Sequence, residues 1–529
     1  MQWIKATTRD ALATGPVVFK HPPRQILIIE HNDEVFAIDN RCPHEGFPLA
    51  QGTVDSDCIL TCNWHNWKFD LSDGKCVLGG DHVTAYATKT EGQDVWVDLT
   101  LPSPDAIRAR VMPGLQTAFR KNEFGRICRE LTRLKMGGLD PLDAVATAVE
   151  WSYDKFEYGT THAFAALADW ISLYHQNEGH WDRQLVCLAE TVSHMAFDTL
   201  RYPEFPYHDD VVSWDESRFL DAVEQEQGPL AESMIVTALQ DGMTFSDLES
   251  AFTTAALAHY NSFGHSLIYV QKAREVLSAP IAIEPKHILL PLVRHICFAT
   301  REDLIPEFQQ YAGALQQCPT RFGSSETQLD TSGLRKGGLR SALQWTQSAM
   351  ETHSMGDVFD ALLQVNAQNM LQFDTTYEKD ISNKVSDSVG WLAFTHAITF
   401  SNAVREQCTT LPHLWPAGLL QIACFVGRNQ RFCDPTIQLK DWRVDHRDSF
   451  LSTAHDVILD NGIRSPIFGA HYLKTTLAVE AELSHAGEQA CETLLAALNR
   501  LIQTPIKQKH AHRLALQAIE LVSRDFPAP

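Results

Sequence analysis

Positive charge is scarce in this chain: 44 lysines and arginines stand against 66 aspartates and glutamates in 529 residues, a net charge of −22. Such a balance offers phosphates little and argues against nucleic acid or an anionic membrane face as a partner. Long apolar runs are missing as well. No run of about eighteen consecutive apolar residues occurs, so no membrane span is expected. The start, Met1-Gln2-Trp3-Ile4-Lys5, lacks the basic and apolar segments of a secretory leader. The 12 cysteines show no short, regular disulfide spacing. A reducing cytoplasm is therefore the expected setting, with most thiols acting as small buried hydrophobes. Also absent are a Gly-x-Gly-x-x-Gly after a strand, a phosphate-binding loop and a Cys-x-x-Cys-His haem attachment. Nothing in the chain points to a bound flavin or nicotinamide.

What is present suffices for several cores, with 44% apolar and 21% charged residues. The expected fold is multidomain: a small antiparallel all-β domain over 1–103, a linker with connecting helices over 104–140, and a large all-α domain over 141–529. Gln25–Ile29 and Val35–Ile38 flank the turn-like His31-Asn32-Asp33, Trp67–Leu71 leads into Ser72-Asp73-Gly74, and Ala85–Thr88 and Val95–Leu99 flank Glu91-Gly92-Gln93. Short strands with Asx and Gly punctuation signal hairpins. Leu101-Pro102-Ser103-Pro104 breaks this rhythm, and Asp140-Pro141 has the form of a helix start. Ser246 and Glu249 read as a capping box opening a helix that runs to Ser262, and Cys318–Gly338 as a surface loop. The helical part repeats loosely. Segments led by His162, His265 and His396 are each followed by a second apolar helix, over Leu188–Phe197, Leu289–Phe298 and Leu419–Phe425, and His471 is expected to open a fourth copy. Spacing between copies is unequal, so helix pairs packed about a shared centre are expected in place of a regular solenoid.

The sharpest signal is Cys42-Pro43-His44 followed by Cys62-Asn63-Trp64-His65. Two short ligand pairs on adjacent loops supply two thiolates to one iron and two imidazoles to the other of a [2Fe–2S] cluster. A tetrahedral zinc site accepts the same residue types. Zinc fingers, however, place their histidines together on a helix, whereas here each cysteine is paired with a histidine between strands. With Gly46 and Phe69–Gly74, the motif resembles Rieske ferredoxin and Rieske oxygenase domains. In that comparison Glu45, Asn63 and Trp64 occupy loop positions, and Trp67 and Phe69 stand where Ser and Tyr donors are usual. Fewer donors to the cluster imply a potential near the low end of the Rieske range, roughly −150 mV, and a ferredoxin-like donor role. The resemblance does not extend to the oxygenase catalytic domain: His259 and His265 are six apart, lack a preceding acidic residue and lie in helix-forming sequence.

A second metal site is expected within the helices. Glu190, His194 and Asp198 follow one another at four-residue steps and share one helix face. His162, His265, His396 and His471 sit in apolar surroundings at comparable repeat positions, and His295 stands on the second helix of its copy where a third copy has Cys424. Imidazole and carboxylate ligands suit iron, and helical di-iron sites use similar spacings. The competing reading makes each histidine an ordinary core or interface residue, with Glu190 paired to a cation such as Arg183 or facing water. His175, His180, His413, His510 and His512 read as surface. The helical part also resembles the questin-oxidase-like family through its histidine-led helices, Phe263–Tyr269 and Ala299–Pro306. That resemblance implies an oxygen-dependent monooxygenase acting on a polyketide-like aromatic.

The expected function is an oxidoreductase in which the N-terminal cluster feeds electrons to a mono- or dinuclear non-haem iron centre. Its partners would be a hydrophobic small molecule, O2, and a separate reductase or ferredoxin. The alternative is a redox-sensing or electron-carrying protein with a non-catalytic helical scaffold.

Overall fold

The structure, a computed structural model, describes residues 2–523 apart from 320, 336, 385–386 and 509–510. The chain divides into two units: Met1–Phe119 with Glu123–Pro141, and Arg120–Asn122 with Leu142–Pro529.

Short alternating strands build three antiparallel sheets in the first unit. One orders Trp3–Thr8, Asp94–Asp98 and Thr88–Glu91; a second orders Val17–His21, Arg24–His31, Glu34–Asp39 and Ala85–Tyr86. The third orders Thr53–Val54, Ile59–Cys62, Trp67–Asp70 and Cys76–Leu78. Because successive side chains point to opposite faces, the apolar strand Arg24–His31 feeds two cores. Leu27 and Ile29 pack with Cys42, Cys62 and Phe69, while Ile26 and Ile28 pack with Val95 and Val97. The expected strand Ala85–Thr88 is broken at Ala87, which lets its two halves join different sheets.

The 104–140 segment forms two helices, Pro104–Lys121 and Phe124–Met136, and these group with the β-sheets. A buried carboxylate explains why. Asp81 is 2% exposed and pairs with Arg129 at 2.8 Å and Arg133 at 2.9 Å. Burial opposes its charge, yet the Arg133 and Arg129 guanidinium groups hold its carboxyl below the usual range.

The second unit is built from helix pairs. His162–Gln176, His265–Ser278, Trp391–Thr410 and Pro466–Glu482 form a closed ring in that order, each packing on two neighbours. Each is backed by a partner: Trp181–Thr199, Pro285–Cys297, Trp415–Asn429 and Glu488–Gln503 respectively. Two local expectations are corrected. The capping box is Thr244 with Asp247, two residues before Ser246 and Glu249, and its helix ends at Ala258 short of Ser262. The earlier Thr wins because its side chain and that of Asp247 both reach the other's backbone N–H. Of the four histidines, His162 and His265 open their helices, whereas His396 and His471 lie in the second turn of theirs. Among the described residues no helix is long and apolar enough to cross a membrane.

Candidate metal centres

The first centre sits on two matching turns. Gly46 N–H donates to the Cys42 carbonyl at 2.7 Å, and Asn66 N–H donates to the Cys62 carbonyl at 2.8 Å. Each turn closes on a residue with positive φ, 80° at Gly46 and 62° at Asn66, a conformation glycine and asparagine tolerate best. The turns bury both cysteines to 1% exposure and leave both histidines on the surface. The imidazoles of His44 and His65 meet edge to face with centres 4.4 Å apart. Burial, with the neighbouring Cys62 thiol, pushes the Cys42 thiol up to about 11, so a proton must leave when a metal binds. Buried sulfurs inside and exposed imidazoles outside fit a cluster with one thiolate-held and one imidazole-held iron. Polar side chains around the turns are engaged elsewhere: Asn63 with Gln51 and Thr53, Trp64 with Gln51. Trp67 stacks on His44, and Phe69 is fully buried.

A second convergence lies inside the helix ring. His162 Nε2 is 3.1 Å from His265 Nε2, and His396 Nε2 is 3.1 Å from His471 Nε2. Ligand atoms of His162, His265 and His396 all fall within 4.8 Å of one another. Two ring nitrogens on the far side are tethered to backbone: His471 Nδ1 donates to the Ile467 carbonyl at 2.7 Å, and His265 Nδ1 donates to the Ser262 carbonyl. A carbonyl accepts only, so each tether fixes a protonated Nδ1 and leaves the Nε2 lone pair facing inward. Each close pair then has one inward lone pair, that of His265 or His471, aimed at the Nε2 of its neighbour, a geometry that a shared cation satisfies. Two nitrogens about 2.1 Å from one ion, at angles between square and tetrahedral, stand ~3.0–3.4 Å apart, which matches. Burial drives all four imidazoles well below their ordinary range, His265 to about 4, so they are neutral and ready to ligate at neutral pH.

The turn that aims His265 is strained. Ser262, Phe263 and Gly264 have φ of 47°, 45° and 81° in succession. A Cβ on Gly264 would lie 2.5 Å from the Phe400 ring. The segment 299–306 supports this turn: Thr300 O accepts from Ser262 N–H at 2.8 Å, and buried Glu302 accepts from Phe263 N–H at 3.2 Å. His162 is placed by Thr161, which caps its helix and donates to Asp198 at 2.6 Å.

The remaining expected residues lie around the quartet or away from it. His194 is 3.7 Å from Asp198 and His295 packs on Tyr269 with ring centres 4.7 Å apart. Glu190 is not among the converging groups; burial alone pushes its carboxyl up to about 7. His175, His180, His413 and His512 are exposed, and His510 lies outside the described residues. Sequence reasoning missed Lys474, fully enclosed three residues after His471, although a lysine inside the run His471–Ala478 was a visible signal. A pocket of about 490 Å³ reaches His162 and His295, walled by Phe156, Tyr158 and Tyr202 with Asp198.

Residues 2–87 match the model of the Rieske [2Fe-2S] domain. The chain is 31% identical over 81 residues to the 3-phenylpropionate/cinnamic acid dioxygenase ferredoxin subunit of Shigella boydii, spanning 15% of this chain and 76% of that protein. It is 26% identical over 106 residues to the ferredoxin component of the alkene monooxygenase system of Xanthobacter autotrophicus, spanning 20% and 86%. A solved structure, the ferredoxin of carbazole 1,9a-dioxygenase from Nocardioides aromaticivorans, aligns at 24% identity over 19% of this chain and 100% of its own, with a TM-score of 0.18. Through its N-terminal unit the chain belongs to the Rieske [2Fe–2S] family.

Proposed function

We propose that the chain is a cytoplasmic O2-dependent monooxygenase with two metal centres. Cys42, His44, Cys62 and His65 would hold a [2Fe–2S] cluster able to supply single electrons, and His162, His265, His396 and His471 would hold a non-haem iron able to use them. The single observation that carries this reading is the convergence of the quartet, whose Nε2 atoms pair at 3.1 Å and in which His265 and His471 are tethered through Nδ1 to backbone carbonyls. Imidazole ligands suit iron, and iron with O2 needs electrons delivered one at a time. The substrate is a hydrophobic, aromatic small molecule entering by the aromatic-walled pocket at His162. The resemblance of the sequence over Phe263–Tyr269 and Ala299–Pro306 to the questin-oxidase-like family implies the same class of substrate. Electrons come from a separate reductase or ferredoxin that docks at the exposed His44 and His65 edge.

The family likeness also favours a second reading, because the relatives at 31% and 26% identity are named as ferredoxin parts of oxygenase systems. There the chain carries or senses electrons and its helices form a scaffold. Metal analysis separates the two. Protein prepared without chelator should hold about three irons per chain, against about two for the cluster alone. His396→Ala with His471→Ala should remove the extra iron and leave the Rieske spectrum unchanged. A wild-type content that stays at two ends the monooxygenase reading.

A further inference from the structure

Close to the histidine quartet lies a buried lysine. Lys474 is 2% exposed, and among the described residues its Nζ has no hydrogen-bond partner. It follows His471 by three residues and shares its helix face. Helical side chains lean toward the N-terminus, which carries the ammonium back toward the histidine layer. Its Nζ lies 5.9 Å from the centre of the Tyr269 ring, and that ring stands 5.5 Å from His265 and 6.2 Å from His162. Asp169 and Glu275 favour its charge from nearby, but both contact Lys272, each at 2.8 Å, and neither hydrogen-bonds Lys474. The quartet supplies imidazoles and no carboxylate, so an ion held there keeps its whole charge.

We propose that Lys474 and the histidine centre together bind a small monoanion, the ammonium donating a hydrogen bond to it. A buried ammonium without an acceptor is costly, and one anion touching both it and a histidine-held ion supplies that acceptor. The second contact rests on the metal reading above. Within that reading the anion has two sources, a solvent anion or singly reduced dioxygen. In the latter case the electron leaves the reduced cluster, which is oxidised by one, and joins O2; Lys474 keeps its proton and supplies only the hydrogen bond.

The test uses the full-length protein loaded with cobalt(II) at the helical centre and titrated with sodium azide in the absence of oxygen. Wild type should show shifted cobalt bands. Lys474→Met should weaken azide binding about tenfold or more, the weight of one charge-assisted hydrogen bond. Its cobalt content should be unchanged, and Lys474→Arg should recover most of the affinity. Equal affinity in wild type and Lys474→Met overturns the proposal, as does an unshifted spectrum in cobalt-loaded wild type. Where wild type takes up no cobalt, the metal reading alone has failed, and the infrared band of azide in the metal-free protein becomes the readout. A shifted band lost in Lys474→Met upholds the anion site; free azide only overturns it. Oxygen uptake under reduction then assigns the source: slowed uptake in Lys474→Met points to reduced oxygen, and unchanged uptake with lost azide affinity points to a solvent anion.

Discussion

His44 and His65 stand exposed on two short turns, whereas four helices of one unit bring together the half-buried His162 and His265 and the buried His396 and His471. The first pair is placed by backbone within a few residues, the second set by contacts between segments far apart in the chain. Exposure suits a site that must meet a donor protein; burial suits one whose imidazoles must stay neutral and whose surroundings must stay dry. The same side chain thus serves two ends, and its surroundings decide which.

The contrast can be broken from either side. The largest effect is expected from Cys42→Ser, which should abolish the visible and EPR signature of the cluster while leaving metal at the helical centre unchanged. Loss of both together would mean the centres are not independent. Next comes Gly264→Ala, which forces a side chain into left-handed backbone and against Phe400. It should destabilise the helical unit by about 2–4 kcal/mol in denaturant titrations, with the cluster spectrum unaffected. Glu190→Gln sharpens the comparison through pH. Burial raises the folded carboxyl from 4.5 to about 7, so the folded state holds its proton more tightly than the unfolded one. That contribution is complete below about pH 4.5 and is lost as pH rises through 7. The variant should therefore gain on the order of 1–3 kcal/mol at pH 8.5 relative to wild type, and nothing at pH 4.5. Its metal content should stay at the wild-type value. The smallest effect concerns potential. The cluster should titrate near the low end of the Rieske range, roughly −150 mV, and Phe69→Tyr should raise it by some tens of millivolts by adding a donor beside the sulfurs.

How much of this was legible in the sequence follows the same divide. The cluster turns were readable because their ligands, glycine and strand punctuation all lie between Cys42 and Gly74. The quartet was readable as four apolar-helix histidines, but its geometry was not. A same-face argument put Glu190 beside His194, and it brought His194 to Asp198 while leaving Glu190 without a charged partner among the described residues, because helix periodicity does not say which neighbour covers the face. Packing of the 104–140 helices against the sheets turned on Asp81 meeting Arg129 and Arg133, a pairing some fifty residues long that no local pattern reveals. Similarly, the segments 263–269 and 299–306 were singled out separately, and only the fold shows the second bracing the first.

Both turns at Cys42 and Cys62 close through main-chain atoms, so their shape is independent of what the second ligand carries. Ligand chemistry is thereby uncoupled from loop architecture. Exchanging His44 and His65 for cysteine would keep the cradle and present four sulfurs, the ligation of plant-type ferredoxins with potentials near −400 mV. Two codons separate this scaffold from a far stronger reductant, and the imidazoles are what hold it at the milder setting.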